Sequence, residues 1–223
     1  MEKHTFLSVL AVTLVALAVA MFIPGKQAEK PSNLPWQIEL TPSGTTRVFG
    51  IELGKTTLAE IEALIREPAE VSLFARDNGE RVVEAYFDNV DFSGLRARMV
   101  LVMELGQQEI EAMFERGARI ATMGGGTRKV TLSDEDMLRV RNTPVAVITY
   151  IPRINLDASM IAKRFGNPAQ RIKEKGGEVE HWLYPEKGLD IALDPKSKEV
   201  LQYVPPARFE RLLQPLREKG EVL

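Results

Sequence analysis

Gly124-Gly125-Gly126-Thr127-Arg128-Lys129 brings together three glycines, a hydroxyl and two cations, the ingredients of a loop that cradles phosphate. Such a loop must follow a buried strand and feed directly into a helix whose amides face the anion. Lys129-Val130-Thr131-Leu132 alternates as a strand does, so the glycines are expected to form a plain flexible loop. Asp134-Glu135-Asp136 offers carboxylates for a divalent cation, but consecutive residues on a helix point around its circumference and do not converge. With Ser133 ahead of them they read as a capped helix start, the acidic groups complementing the N-terminal dipole. Asp190 and Asp194 share one strand face by their even spacing, with Lys196 and Lys198 following in a turn, a pattern expected of the solvated side of a sheet. His181 has no imidazole or thiol near it in the sequence, the other histidine being His4, and is expected as a surface or half-buried strand residue.

Aromatic residues offer a different chemistry. Trp182 and Tyr184 are two apart and share one face of a strand. Packed inward they are core. Left outside, on the concave sheet of a helix-and-meander unit, they make a protein-binding platform. Trp36, beside a proline-rich linker, reads the same way: core, or a contact to a partner or a membrane interface. Trp182, Tyr184 and Trp36 are therefore the candidate partner-binding residues.

Composition narrows the field. The 223 residues contain no cysteine and two histidines. That removes disulfides, thiolate nucleophiles, Cys-ligated zinc and a lipid-acylated N-terminal cysteine, and leaves almost no material for a His-based triad. The net charge of −2 comes from 29 basic and 31 acidic side chains and gives no footprint for nucleic acid. No catalytic, metal-binding or cofactor-binding residue is assigned and no cofactor is expected.

These residues need a scaffold and a location. Residues 5–23 carry no charge and end at Pro24-Gly25-Lys26. At about 1.5 Å per residue they would span roughly 28 Å, close to the hydrocarbon thickness of a bilayer. Ala18-Val19-Ala20 has the form of a signal-cleavage site, yet the apolar run continues past it through Ile23. The run is therefore expected to be an uncleaved anchor with a cytoplasmic tail at 1–4, making a single-pass protein of the bacterial inner membrane with a periplasmic C-terminal body. Residues 24–35 carry three prolines and read as a linker.

The body reads as α+β with an internal duplication at an offset of 100 residues. Ile61 matches Ile161, Ile65 matches Phe165, Pro68 matches Pro168 and Ala69 matches Ala169. Each short amphipathic helix ends at its proline and precedes an antiparallel meander. The expected architecture is therefore an N-terminal transmembrane helix followed by two repeated helix plus antiparallel β-meander units. The first unit covers 36–132, the second 133–204, and a C-terminal helix covers 205–223, shortened or kinked at Pro215. Between the units, Ile110, Met113 and Phe114 place a helix over 109–117, and Val145 to Ile151 reads as a strand leading into the second unit.

Residues 155–204 carry Arg164-Phe165-Gly166-Asn167-Pro168, then His181-Trp182-Leu183-Tyr184, then two strands at 188–194 and 199–204. This pattern resembles the BamE/SmpA/OmlA-type fold, the small envelope subunit of the β-barrel assembly machinery. It is also similar to the tandem architecture of the β-lactamase inhibitor proteins. The resemblance implies function through protein–protein contact with no catalytic site. Residues 52–105 match weakly, with Glu67 in place of the glycine and no tryptophan. The lipoprotein members' cysteine is missing, so anchoring falls to residues 5–23. The expected function is a non-catalytic, membrane-anchored extracytoplasmic module that binds or scaffolds an envelope protein. The alternative is a periplasmic domain that binds a small molecule or lipid in a cavity between the units.

Overall fold

The structure, a computed structural model, describes Thr13 and residues 31–223. The proposed anchor at 5–23 lies outside the described residues apart from Thr13. No helix among the described residues is long and apolar enough to cross a membrane.

The chain after the linker opens with three short strands, β1 (Glu39–Leu40), β2 (Thr46–Val48) and β3 (Ile51–Glu52), paired in that order. The run 45–53 is rich in the β-branched and aromatic residues of a strand. A tight turn divides it, with positive φ at both Phe49 (58°) and Gly50 (79°), the combination that a two-residue hairpin turn demands. Left-handed backbone is costly for a bulky residue. Here the Phe49 ring is fully buried, stacked 4.7 Å from Phe92 and 4.8 Å from Tyr150, with Tyr203 edge-on at 5.6 Å. The turn drives one aromatic ring into the centre of the main sheet, and the packing holds the backbone there.

The rest of the chain runs α1 (Leu58–Ile65), β4 (Glu70–Ala75), β5 (Arg81–Phe92), β6 (Leu95–Met103), α2 (Gln107–Glu115), β7 (Arg119–Thr122), β8 (Arg128–Thr131), α3 (Asp134–Arg141) and β9 (Val145–Pro152). It continues with α4 (Ala158–Phe165), β10 (Gln170–Glu174), β11 (Glu180–Tyr184), β12 (Leu189–Leu193), β13 (Val200–Tyr203), α5 (Glu210–Lys219) and β14 (Gly220–Val222). Local chemistry sets the helix starts. Thr57 and Glu60 form a reciprocal capping box on α1, Ser133 caps α3 and Asp157 caps α4. The C-terminal helix runs through Pro215 to Lys219.

Eleven strands form one antiparallel sheet in the order β14-β10-β11-β12-β13-β9-β6-β5-β4-β8-β7. This corrects the expected pair of separate helix-and-meander units. The strand at 145–152 does not merely lead into a second unit. It pairs with β6 on one side, Val100 opposite Thr149, and with β13 on the other, Gln202 opposite Thr149. Two separate meanders would each leave an exposed inner edge of unpaired backbone groups. Joining them through β9 removes both edges. Residues 32–223 accordingly form one compact unit.

Alternation divides the sheet into two faces. Val83, Ala85 and Phe87 on β5, Met99 and Leu101 on β6, and Ile148 and Tyr150 on β9 point to one side. They share a core with Leu58, Ile61, Met113, Val140, Ile161 and Phe165 of α1 to α4. On the other side, α5 covers only part of the sheet. Its Leu213 and the preceding Phe209 pack on Ile172, Leu183 and Val204, with Val147, Leu212 and Leu216 at the margin.

Candidate functional site

The side chains that point away from the main core on β5, β6 and β9 should be polar if that face met only water. They are not. Val82, Val102 and Val147 are half-buried there, Val102 directly opposite Val147. Phe74 lies opposite Val82, and Val100 lies between Tyr86 and Thr149. Beyond the margin of α5 this apolar strip has no cover from any described residue of the second face's small core.

Val82, Val102 and Val147 form the floor of a groove of about 450 Å³. Its walls are Leu212 and Arg211 of α5, Pro205 and Arg208 just before that helix, and Leu105 and Ile110 where β6 passes into α2. Charges sit on its rim. Arg81 is paired with Glu111 and lies 4.4 Å above the Phe114 ring. Arg208 is paired with Glu104. Glu80 is held by Arg76 at 2.7 Å. Arg211, exposed on α5, has no carboxylate partner among the described residues. Glu84, on the floor side of β5, has its carboxyl pushed up by burial against the pull of Arg76, 3.7 Å away. The groove thus combines an aliphatic floor with a rim of paired charges, Glu80 and Glu104 among them, on which Arg211 alone has no opposite partner among the described residues.

The aromatic candidates lie elsewhere. Trp182 is 8% exposed, its indole N–H donating to Glu180 Oε1 at 2.6 Å and its ring 5.3 Å from the Arg171 guanidinium. Tyr184 is 4% exposed and its hydroxyl donates to the Gly166 carbonyl at 2.9 Å. Trp36 is half-buried, edge-on to Phe165 at 6.3 Å under the Arg164 guanidinium at 4.6 Å. Phe165 also lies 6.3 Å from Tyr184, so the structure links Trp36 and Tyr184 through that ring, in the main core. As the chain stands, neither Trp182 nor Tyr184 offers its ring to a partner.

The remaining chemistry-bearing residues fall into place around this. Gly124–Gly126 form a short turn between β7 and β8, which pair Arg119 with Thr131 and Thr122 with Arg128. The glycines therefore join strand to strand and feed no helix. Asp136 is drawn inward at the start of α3. It is 3% exposed, and Arg116 binds it at 2.5 Å. His181 and Asp190, expected near or at the surface, are both buried on the second face, with Nδ1 2.8 Å from Asp190 Oδ2.

The groove itself was missed by sequence reasoning, although a signal exists. Met99-Val100-Leu101-Val102-Met103 and Val145-Ala146-Val147-Ile148 lack polar alternation, which marks strands with apolar side chains on both faces. No family model, curated protein or solved structure matches the chain.

Proposed function

We propose that this chain is a non-catalytic binding module of the bacterial cell envelope, tethered by residues 5–23. Its binding site is the groove between α5 and the open half of the sheet, and the occupant is a small apolar molecule or lipid. One observation carries this reading: Val82, Val102 and Val147 line the floor of a groove of about 450 Å³ at positions that face away from the main core. That volume lies within the roughly 300–1,000 Å³ typical of small-molecule sites. Shielding each of those valines from water is worth up to about 1.5 kcal/mol, a driving force available only if something apolar occupies the groove. The other reading, an envelope protein docked on Trp182 and Tyr184, needs those rings outside the core. The envelope placement rests on the apolar run and on the resemblance of residues 155–204 to the BamE/SmpA/OmlA-type subunits.

Native mass spectrometry of the full chain, taken from bacterial membranes in a mild detergent, tests the proposal. A bound species of a few hundred daltons is the expected result. A stoichiometric protein partner with no small adduct overturns it.

A further inference from the structure

Three guanidinium groups reach the groove, and they are not equivalent. Arg81 is committed to Glu111 and to the Phe114 ring, and Arg208 is committed to Glu104. Arg211 lines the same groove from the exposed side of α5, with Leu212 next to it, and has no carboxylate partner among the described residues. The arrangement is a single uncommitted cation at one side of an aliphatic floor. A guanidinium beside apolar surface recognises a planar anion through paired N–H donors. A floor of valines selects nothing but apolar bulk.

We infer that the groove takes an alkyl chain ending in one carboxylate, with the head group on Arg211 and the chain along Val82, Val102 and Val147. This deepens the proposed binding function and rests on it. A neutral alkyl molecule would gain the floor and lose the guanidinium. A cationic one would set its charge against Arg211, the groove charge that has no opposite partner among the described residues.

The absence of cysteine gives a direct test in the full chain. Val102→Cys places a unique thiol on the floor, and Ser197→Cys places a control thiol on an exposed turn. The rate of maleimide alkylation is followed with dodecanoate, dodecanol or dodecyltrimethylammonium, each below its micelle concentration. The expected result is protection of Cys at 102, and not of Cys at 197, by dodecanoate. Half-protection should need at least about tenfold less dodecanoate than either other probe, equivalent to about 1.4 kcal/mol. Adding Arg211→Glu should raise the dodecanoate requirement at least about tenfold by the same conversion. Equal protection by all three probes would leave the groove as a binding site and overturn the carboxylate. Protection selective for dodecanoate yet indifferent to Arg211→Glu would overturn the role of Arg211. No protection by any probe would overturn both this inference and the groove as the site.

Discussion

His181 Nδ1 lies 2.8 Å from Asp190 Oδ2, and the two side chains are 10% and 7% exposed. Glu174 Oε1 approaches the other ring nitrogen at 3.3 Å, while Asp190 Oδ1 has no hydrogen-bond partner. One imidazolium is thus the counter-charge of a buried carboxylate. Burial raises the Asp190 carboxyl above its ordinary value even with the imidazolium beside it, so removing the imidazolium forces the group to take up a proton or stay charged and unpaired, a loss of up to about 3–5 kcal/mol in a buried pair. His181→Ala should therefore destabilise the fold by about 3 kcal/mol at pH 7, read as a lower urea midpoint at unchanged slope. The double variant with Asp190→Asn should lose less than the sum of the single variants. Additive losses would show that the two groups do not act as a pair.

The same pair sets the alkaline side of the stability profile. Burial pushes the His181 pKa down, but the hydrogen bond and charge of Asp190, with Glu174 behind them, outweigh it and hold the imidazolium above its ordinary value of 6.5. Stability from this group is complete below the unfolded value and is lost as pH rises through the folded one. Asp136 acts in the opposite sense. The Arg116 hydrogen bond holds its carboxyl below the ordinary 3.8 against the cost of burial. Its contribution is present above that value and lost as pH falls through the folded pKa. Thermal unfolding across pH should show a decline above about 6.5, missing in His181→Gln, and a separate acid decline below about 4, reduced in Asp136→Asn.

Gly188 joins the first hairpin to the second half of the sheet. Its φ is +63°, and a Cβ there would lie 1.9 Å from the Val204 carbonyl oxygen and 2.9 Å from Thr46 Oγ1. The obstruction is backbone, and it sits where the Thr46 hydroxyl reaches both Lys187 O and Val204 O at 3.1 Å. Gly188→Ala should cost roughly 2–4 kcal/mol, since the carbonyl must move and the buried hydroxyl loses an acceptor. Thr46→Val, which removes the hydroxyl at nearly constant volume, should cost about 1–2 kcal/mol. A thermal melt of Gly188→Ala indistinguishable from the parent would refute the close approach.

Local features were legible in the sequence because local chemistry fixes them. Ser133 announces α3, Ile110 with Met113 and Phe114 announces α2, and the β-branched run at 145–151 announces β9. The fusion of the strands into one sheet was not legible. Met99 pairs with Tyr150 across 51 positions of chain that include α2, β7, β8 and α3, and no short window carries that register. The repeat of Ile61 and Pro68 at Ile161 and Pro168 suggested two bodies, since a repeated pattern specifies the units and is silent on whether their edges join. The same limit hid the groove. Half-burial of Val82 and Val102 depends on where α5 comes to rest, which is a tertiary fact. His181 and Asp190 looked solvated because a charged residue on a strand normally is. Only the register that sets Leu183 opposite Asp190 and Ala192 opposite His181 brings the pair together beside the face under α5.

Trp182 and Tyr184 offer the sharpest separation between a docking surface and a core. Were their rings presented to a partner, replacing both with alanine would abolish binding and leave the fold intact. In the structure Trp182 lies opposite Ile191 and Tyr184 opposite Leu189, and the Tyr184 hydroxyl holds the carbonyl of Gly166 at the end of α4. Truncating a large buried aromatic typically costs about 3–5 kcal/mol, and two neighbours together approach the whole stability of an ordinary domain at roughly 5–15 kcal/mol. Trp182→Ala with Tyr184→Ala should therefore abolish cooperative unfolding at 25 °C and the near-ultraviolet dichroism of the aromatic core. Tyr184→Phe, which keeps the ring and removes only the hydrogen bond to Gly166, should cost about 1 kcal/mol. A folded double alanine variant with an unaltered melting temperature would return both rings to the surface and reopen the case for a protein partner on that face.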